Sequence, residues 1–501
     1  MTTSISTSES NELAPASMET RLAASRGYTS YRIRHTLASR FAFLIICLAI
    51  ILSALAYGTV HAWSLAVFFI GAIVLLILWV ADGWRLGTFR VSQNILQLPL
   101  IGLIVLGAIQ LLPLRSAPVA PSVSVPLLHT LSLNPYATRF IVIEVIALLI
   151  YLAATLVFID TPKRLRLIVR SITIFGFLLA IFGLTQSFTS GNRLYWVRDM
   201  AQSTAFGPFI NRHHFAGYME LTIALPLGLI FTNAIEREKK FIYLFAAALM
   251  AIALIMTNSR GGIVSLIAEV LFLVSMMGFG RKHRKRKSHK KPRIQSAAAK
   301  TGLALAMLMA LFLGVMMFGG EDAISRIVGS VNADDPTTGR THFWSVTLDI
   351  IKNHPVLGTG LGAFGVVYTG YDTRNGQYRL EQAHNDYLQV LSDAGIVGAV
   401  LGLIFLAGLF RIGFARRDSP DRFRRGVATG AMAGCFAVLV HSFFDFTLHT
   451  TSNTLLFLIL AALATMNGRV EEVHARRKKR RSEQTTTEVV EGETAQPALA
   501  G

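Results

Sequence analysis

The sequence predicts an all-α, polytopic integral membrane protein with about twelve transmembrane helices and one large ordered loop on the outer face. Three observations predict it. Of the 501 residues, 52% are hydrophobic and only 15% charged, whereas soluble domains carry about 25% charged residues. Runs of about 20 apolar residues, long enough to cross a bilayer as helix, recur along the whole chain. The segments between the runs alternate between strongly basic and nearly neutral.

Taken in order, residues 1–40 are polar and Ser/Thr-rich and read as a cytoplasmic tail. Residues 41–318 hold nine expected spans, at 41–57, 62–81, 96–112, 139–159, 168–186, 216–233, 241–257, 262–279 and 301–318. The first run ends without a clear small-residue cleavage site, so it reads as a retained helix and not a signal peptide. Residues 319–394 form a long outer loop that is too rich in core formers to be a linker. Within it, "RTHFWSVTLDIIKNHP" places Phe343, Val346, Ile350 and Ile351 at helical spacing before a His-Pro stop. Residues 395–467 hold three more spans, at 395–413, 427–442 and 453–467, and 468–501 form a basic, then low-hydrophobicity, cytoplasmic tail. Cys47 and Cys435 lie in separate apolar runs and imply no disulfide framework.

The formal net charge of +19 does not indicate nucleic acid. Most of the basic residues fall on one side of the predicted membrane, in segments such as "TPKRLRLIVR", "GRKHRKRKSHKKPRIQSAAAK" and "RVEEVHARRKKRR". That is the positive-inside pattern, with both termini cytoplasmic and the basic runs against anionic lipid headgroups. Single-cysteine labelling tests it. A cysteine replacing Thr337 is expected to react with an impermeant reagent in intact spheroplasts, and one replacing Ser288 to stay protected. The reverse pattern would put the outer-loop residues in the cytoplasm.

Polar groups gather where the runs meet the expected outer boundary. "NRHHFAGYMELTIALPL" carries Asn211, Arg212, His213 and His214, "TNSRGG" carries Arg260 in a tight turn, and "TTGRTHFW" carries Arg340 and His342. "EQAHNDYLQVLSDAG" carries His384, Asn385 and Asp386, and "HSFFDFTLHTTSN" carries His441, Asp445 and His449. His384, Tyr387, Leu388 and Leu391 recur at helical spacing, which would put the histidine on the apolar face of a helix at the membrane edge. Charges at membrane depth are costly and tend to mark substrate paths. Arginine forks suit phosphate oxygens, and a histidine can take a proton from a hydroxyl. Together they suit transfer from a lipid-linked diphosphate, since ATP and nucleotide sugars stay in the cytoplasm. "GLGAFG" matches a G-x-G-x-x-G string but opens no βαβ unit, so its glycines read as turn residues. Asp322, Asp334 and Asp335 could hold a cation, but their spacing is not diagnostic.

These motifs together, with the helix layout and the late outer loop, resemble the O-antigen ligase superfamily over about residues 40–467. That superfamily also contains O-antigen and exopolysaccharide polymerases and protein O-oligosaccharyltransferases. The motifs are "NRHHFAGYMELTIALPL", "TNSRGG", "GRTHFWSVTLDIIKNHPVLGTGLGAF" and "AHNDYLQVLSDAGIVG". The resemblance implies a GT-C-like glycosyltransferase of the bacterial inner membrane that needs no metal or other cofactor. Its donor would be an undecaprenyl-diphosphate-linked glycan, and its acceptor a glycan, lipid A core or protein. His384 matches the loop histidine taken as base, and Arg260 and Arg340 match arginines that engage the diphosphate. His213 stands where many relatives carry asparagine. The residues add Arg212 as a third anion contact and Asn385, Asp386, His214, Asn211 and Asp445 as supporting groups, with inversion at the anomeric carbon. A polysaccharide or lipid-linked oligosaccharide flippase is the competing class. It would call for more mid-span charges than Glu144, Glu220, Glu269 and a few others.

Overall fold

The computed structural model describes residues 35–115, 130–200, 204–278, 340–374 and 380–467. The expected span at 301–318, most of both tails, and Asp322, Asp334 and Asp335 lie outside the described residues. Apart from one two-stranded hairpin, the described elements are helical. In chain order they are α1 (Leu37–Leu55), α2 (Ala62–Leu86), α3 (Gln97–Gln110), α4 (Pro135–Phe158), α5 (Pro162–Thr189), β1 (Arg193–Leu194), β2 (Arg198–Asp199), α6 (Arg212–Phe231), α7 (Arg237–Met256) and α8 (Arg260–Gly278). There follow α9 (Arg340–Asn353), α10 (Phe364–Tyr371), α11 (Asp386–Arg417), α12 (Arg422–His441) and α13 (Thr451–Thr465). Among the described residues, eight helices are long and apolar enough to cross a membrane (α1, α2, α4–α7, α11 and α12), and α3 and α13 are shorter apolar helices. The chain is an integral membrane protein.

Several boundaries follow from caps rather than from apolar runs. Helix α1 starts ahead of the expected residue 41 because Thr36 Oγ1 accepts from Ser39 N (3.0 Å). The expected span at 395–413 is the distal part of the longer α11, which carries a non-helical break at Gly395 (φ 59°). A Cβ there would fall 2.3 Å from the Val356 carbonyl oxygen. The loop 355–360 lies along this break, with Thr359 N donating to Ser392 O (2.8 Å) and Ile396 N to Pro355 O (2.8 Å). Gly360 and Gly362 in "GLGAFG" have φ of 120° and 75°. Their N–H groups donate to Asp393 of α11 (3.1 and 3.0 Å) while their Cα atoms pack closely on Ser132 and Ile141, so the turns call for glycine.

Burial runs opposite to apolarity, because lipid is as apolar as leucine and polar groups must turn inward. Helix α6 carries histidines and a glutamate, yet it is buried along its length from His214 to Phe231. It crosses α12 where Gly228 meets Gly430. A Cβ on Gly228 would fall 2.4 Å from Gly430 Cα, so the two backbones touch. The very apolar α2 instead exposes Ile70, Ile73 and Ile77 outward. At one end of the bundle, the fully buried Arg424 caps α13 by donating to the carbonyls of Leu463 (2.9 Å), Ala464 (3.1 Å) and Met466 (3.0 Å). At the other end, α9 and α10 form a small separate core around Val346, Ile350, Phe364 and Tyr368. Helix α9 ends at Asn353, just before the His354-Pro355 stop.

Candidate active site

At this second end the first residues of α6, α8, α9 and α11 come together around the turn between α12 and α13. Three of these helices open on an arginine: Arg212, Arg260 and Arg340. The helix dipole disfavours a cation at an N-terminus and favours an anion. Three such starts, with no acidic residue in the first turns of α6, α8 or α9, make this end attractive to anions.

Asp445 is the hub. It lies in the turn after α12 and is almost wholly buried. Its Oδ1 accepts from His384 Nδ1 (3.1 Å), and its Oδ2 lies 3.4 Å from an Arg340 nitrogen and 3.8 Å from His213 Nδ1. Burial alone would raise its pKa. The hydrogen bond from His384, with His213 and the Arg340 guanidinium beside it, instead holds it far below the usual carboxylate range. An ionised carboxylate only accepts, so the His384 nitrogen facing it, Nδ1, carries a proton, and Nε2 is the nitrogen of the neutral ring that can act as a base.

His384 is not on a helix face, contrary to the spacing-based expectation. Asn385 is the N-cap of α11, with its Oδ1 accepting from Tyr387 N (3.0 Å) and Leu388 N (3.1 Å). That ends the helix one residue short of the histidine, which takes a left-handed φ of 51°. The surroundings fix this uncommon backbone. Ala383 N donates to Gln389 Oε1 (2.7 Å), and Ala383 O accepts from Trp344 Nε1 (3.1 Å). The imidazole meets Phe446 edge-on, with ring centroids 4.8 Å apart, and faces Phe343 at 6.5 Å.

The other expected residues are positioned as follows. Asn385 Nδ2 donates to Phe443 O (3.2 Å), so its side chain ties α11 to the α12–α13 turn. Asp386 turns away from His384. It accepts from Ser442 Oγ (2.7 Å), Leu448 N (3.2 Å) and His449 Nδ1 (2.6 Å). Although burial works against it, this pairing raises the His449 pKa. Asn211 caps α6, its Oδ1 accepting from His213 N (2.9 Å). His214 is buried, its ring edge-on to Phe446 at 4.8 Å and its carbonyl accepting from Asn453 (3.0 Å). Arg260 directly follows Ser259, which sequence reasoning missed. Ser259 Oγ lies 2.8 Å from His213 Nδ1 and 3.5 Å from His441 Nε2. His441 Nδ1 in turn lies 2.8 Å from Glu220 Oε1, with both side chains fully buried. A polar chain thus runs from Asp445 through His213, Ser259 and His441 to Glu220, deep between α6, α8 and α12. The "SRGG" glycines permit it, since a Cβ on Gly261 would fall 2.7 Å from the His441 ring.

Among the described residues, no group of three or more His, Cys, Asp and Glu side chains is arranged to hold a metal ion. Chemically, the cluster offers a histidine with a fixed tautomer beside an arginine, in a setting that draws anions.

Residues 245–403 match the family model described as O-antigen ligase. The match spans Arg260, Arg340 and His384, while Arg212, His213 and Asp445 lie outside it. No curated protein matches the chain. The match supports a role in the synthesis of O-antigen or a related surface polysaccharide.

Proposed function

We propose that this chain, with its O-antigen ligase domain at residues 245–403, is a metal-independent, inverting glycosyltransferase. It would act at the periplasmic face of the bacterial inner membrane with both termini cytoplasmic. The donor is an undecaprenyl-diphosphate-linked glycan, and the acceptor is a glycan, lipid A core or protein. His384 Nε2 takes the proton of the acceptor hydroxyl while that oxygen attacks the anomeric carbon. The bond from that carbon to the diphosphate oxygen breaks, and the diphosphate leaves with the electron pair. Attack opposite the leaving group inverts the centre. Arg260, Arg340 and Arg212 hold the diphosphate and stabilise the charge that grows on departure. Asp445 keeps the histidine in the tautomer that can act as base.

The single observation behind this reading is the shared carboxylate. Asp445 joins His384 (3.1 Å) to Arg340 (3.4 Å). A base for one reactant is therefore coupled to a cation for the other. Purified protein given a synthetic polyprenyl-diphosphate glycan and an acceptor is expected to form an inverted linkage without ATP. EDTA should leave the rate unchanged. A rate lost in EDTA and restored by magnesium would replace the arginine mechanism with a metal one.

The arginines give a separate prediction. Arg260→Lys keeps the charge but loses the planar fork, and turnover should fall more than conserved charge would suggest. Arg260→Ala and Arg340→Ala should each weaken donor binding as well as rate, because the diphosphate is charged before it leaves. The double variant should be less impaired than the product of the singles if both grip one diphosphate. Strict multiplicativity in direct binding measurements would argue against a shared ligand.

A further inference from the structure

Two histidines flank the Asp445 carboxylate, and the proposed transfer uses only His384. The other, His213, follows Arg212 at the start of α6. Its Nδ1 lies 2.8 Å from Ser259 Oγ but 3.8 Å from Asp445 Oδ2, and the second distance is too long for a hydrogen bond. What His213 offers a ligand therefore depends on which way the proton lies between its ring and Ser259.

The buried groups beyond Ser259 decide this. His441 and Glu220 are both fully buried, with His441 Nδ1 2.8 Å from Glu220 Oε1. Glu269 lies within electrostatic reach of Glu220, also fully buried, with neither carboxyl oxygen hydrogen-bonded. A net negative charge would be costly there, so the Glu220–His441 pair is neutral as a whole. It is neutral as carboxylate with imidazolium, or as carboxylic acid with imidazole. Glu220 Oε2 has no hydrogen-bond partner, so an acid proton there would go unused. In both forms one proton then lies between Oε1 and Nδ1, and the other is on His441 Nε2.

That Nε2 is 3.5 Å from Ser259 Oγ, and Gly262 N donates to the same oxygen (3.2 Å). Both lone pairs of the hydroxyl are taken, and its one proton goes to His213 Nδ1, its shortest contact. His213 accepts at Nδ1, so its neutral ring carries hydrogen on Nε2. This fits the long Nδ1–Asp445 distance, since two acceptors face each other there. With Nδ1 turned inward, the Nε2 edge faces the site, and 23% of the side chain is exposed. The two histidines beside Asp445 thus hold opposite tautomers, one with a basic Nε2 and one with an Nε2 that donates.

We propose that His213 is a fourth contact for the donor's diphosphate, giving a neutral Nε2–H to a phosphate oxygen. It would act beside Arg212, its neighbour in sequence, and Arg260, which follows Ser259. Ser259, His441 and Glu220 are positioning residues that set this tautomer. The proposal deepens the transfer reading and rests on it. His384 serves the acceptor hydroxyl, and His213 serves the leaving group.

Solid-state NMR of protein with isotope-labelled histidine, in lipid, tests the tautomer. The His213 signals are assigned by their loss in His213→Gln. In the wild type, neutral His213 should carry its hydrogen on Nε2, and Ser259→Ala should abolish that preference. Titration with geranylgeranyl diphosphate tests the contact. His213→Ala should bind it about tenfold more weakly, as for one lost donor to a charged oxygen. His213→Gln places an amide N–H near the position of Nε2 and should recover most of the loss. Ser259→Ala should weaken binding on its own but add little to His213→Gln. Hydrogen on Nδ1 of His213 in the wild type, or unchanged affinity in His213→Ala, would overturn the proposal. If Arg260→Ala still weakens binding in that case, the transfer reading stands. A wild type that binds no geranylgeranyl diphosphate would overturn both.

Discussion

Turnover by His384→Ala is expected to fall roughly 10²–10⁴-fold, the usual cost of removing a general base, while donor binding persists. The histidine meets the acceptor, not the diphosphate, so KM for the donor should change little and kcat should carry the loss. Alanine keeps a Cβ at the left-handed φ of 51°, so the backbone there stays as constrained as before. The variant therefore isolates the imidazole. Glycan of normal amount and length from cells holding matched levels of the variant would return His384 to a structural role. A parallel fall in donor affinity would instead mean that the ring helps to hold the leaving group.

Asp445→Asn should be nearly as damaging, at roughly 10²–10⁴-fold, although this residue touches neither reactant in the proposed mechanism. The amide is the same shape but can turn either its oxygen or its NH₂ toward His384. The proton is then no longer fixed on Nδ1, and Nε2 is a base only part of the time. Arg340 also loses its buried counter-charge. The readout is again kcat, together with imidazole nitrogen shifts by NMR that report the tautomer. An unchanged tautomer with reduced activity would show that Asp445 acts through Arg340 alone. A stability measurement adds a check of sign. The Asp445 carboxyl is held below its unfolded value of about 3.9, so what it contributes is fully present above that pH. It is lost only as pH falls through the folded value. The stability gap between wild type and Asp445→Asn should stay level from pH 7 to about 5 and close in stronger acid.

The helices were legible because lipid-facing residues must be apolar, and long apolar runs are hard to mistake. The α9 helix was legible from the spacing of Phe343, Val346 and Ile350, with its stop at Pro355. The helix-face expectation for His384 fails because apolar periodicity carries no information about where a cap ends the helix. Asn385 is a preferred N-cap residue, and that signal was present in "AHND". The prominence of Asp445 was not legible. It lies 61 residues from His384 in sequence, and nothing local distinguishes it from Asp386, which pairs with a different histidine. Ser259 gave no signal, since its role comes from two histidines brought to it by α6 and α12.

The buried pairing of Glu220 with His441 has a consequence for how this protein is made. The two residues are 221 positions apart. At a synthesis rate of about 5–20 residues per second, roughly 10–45 s pass between the emergence of one and the other. Helix α6 is suited to a protein interior, and a buried carboxyl group within its span makes it a poor candidate for solitary release into lipid. During that interval its glutamate has no histidine to meet. Biogenesis must therefore keep α6 beside the insertion machinery, or beside the earlier helices, until α12 arrives. A ribosome stalled before residue 441 should leave α6 crosslinkable to the translocon, whereas α2 should already have moved away.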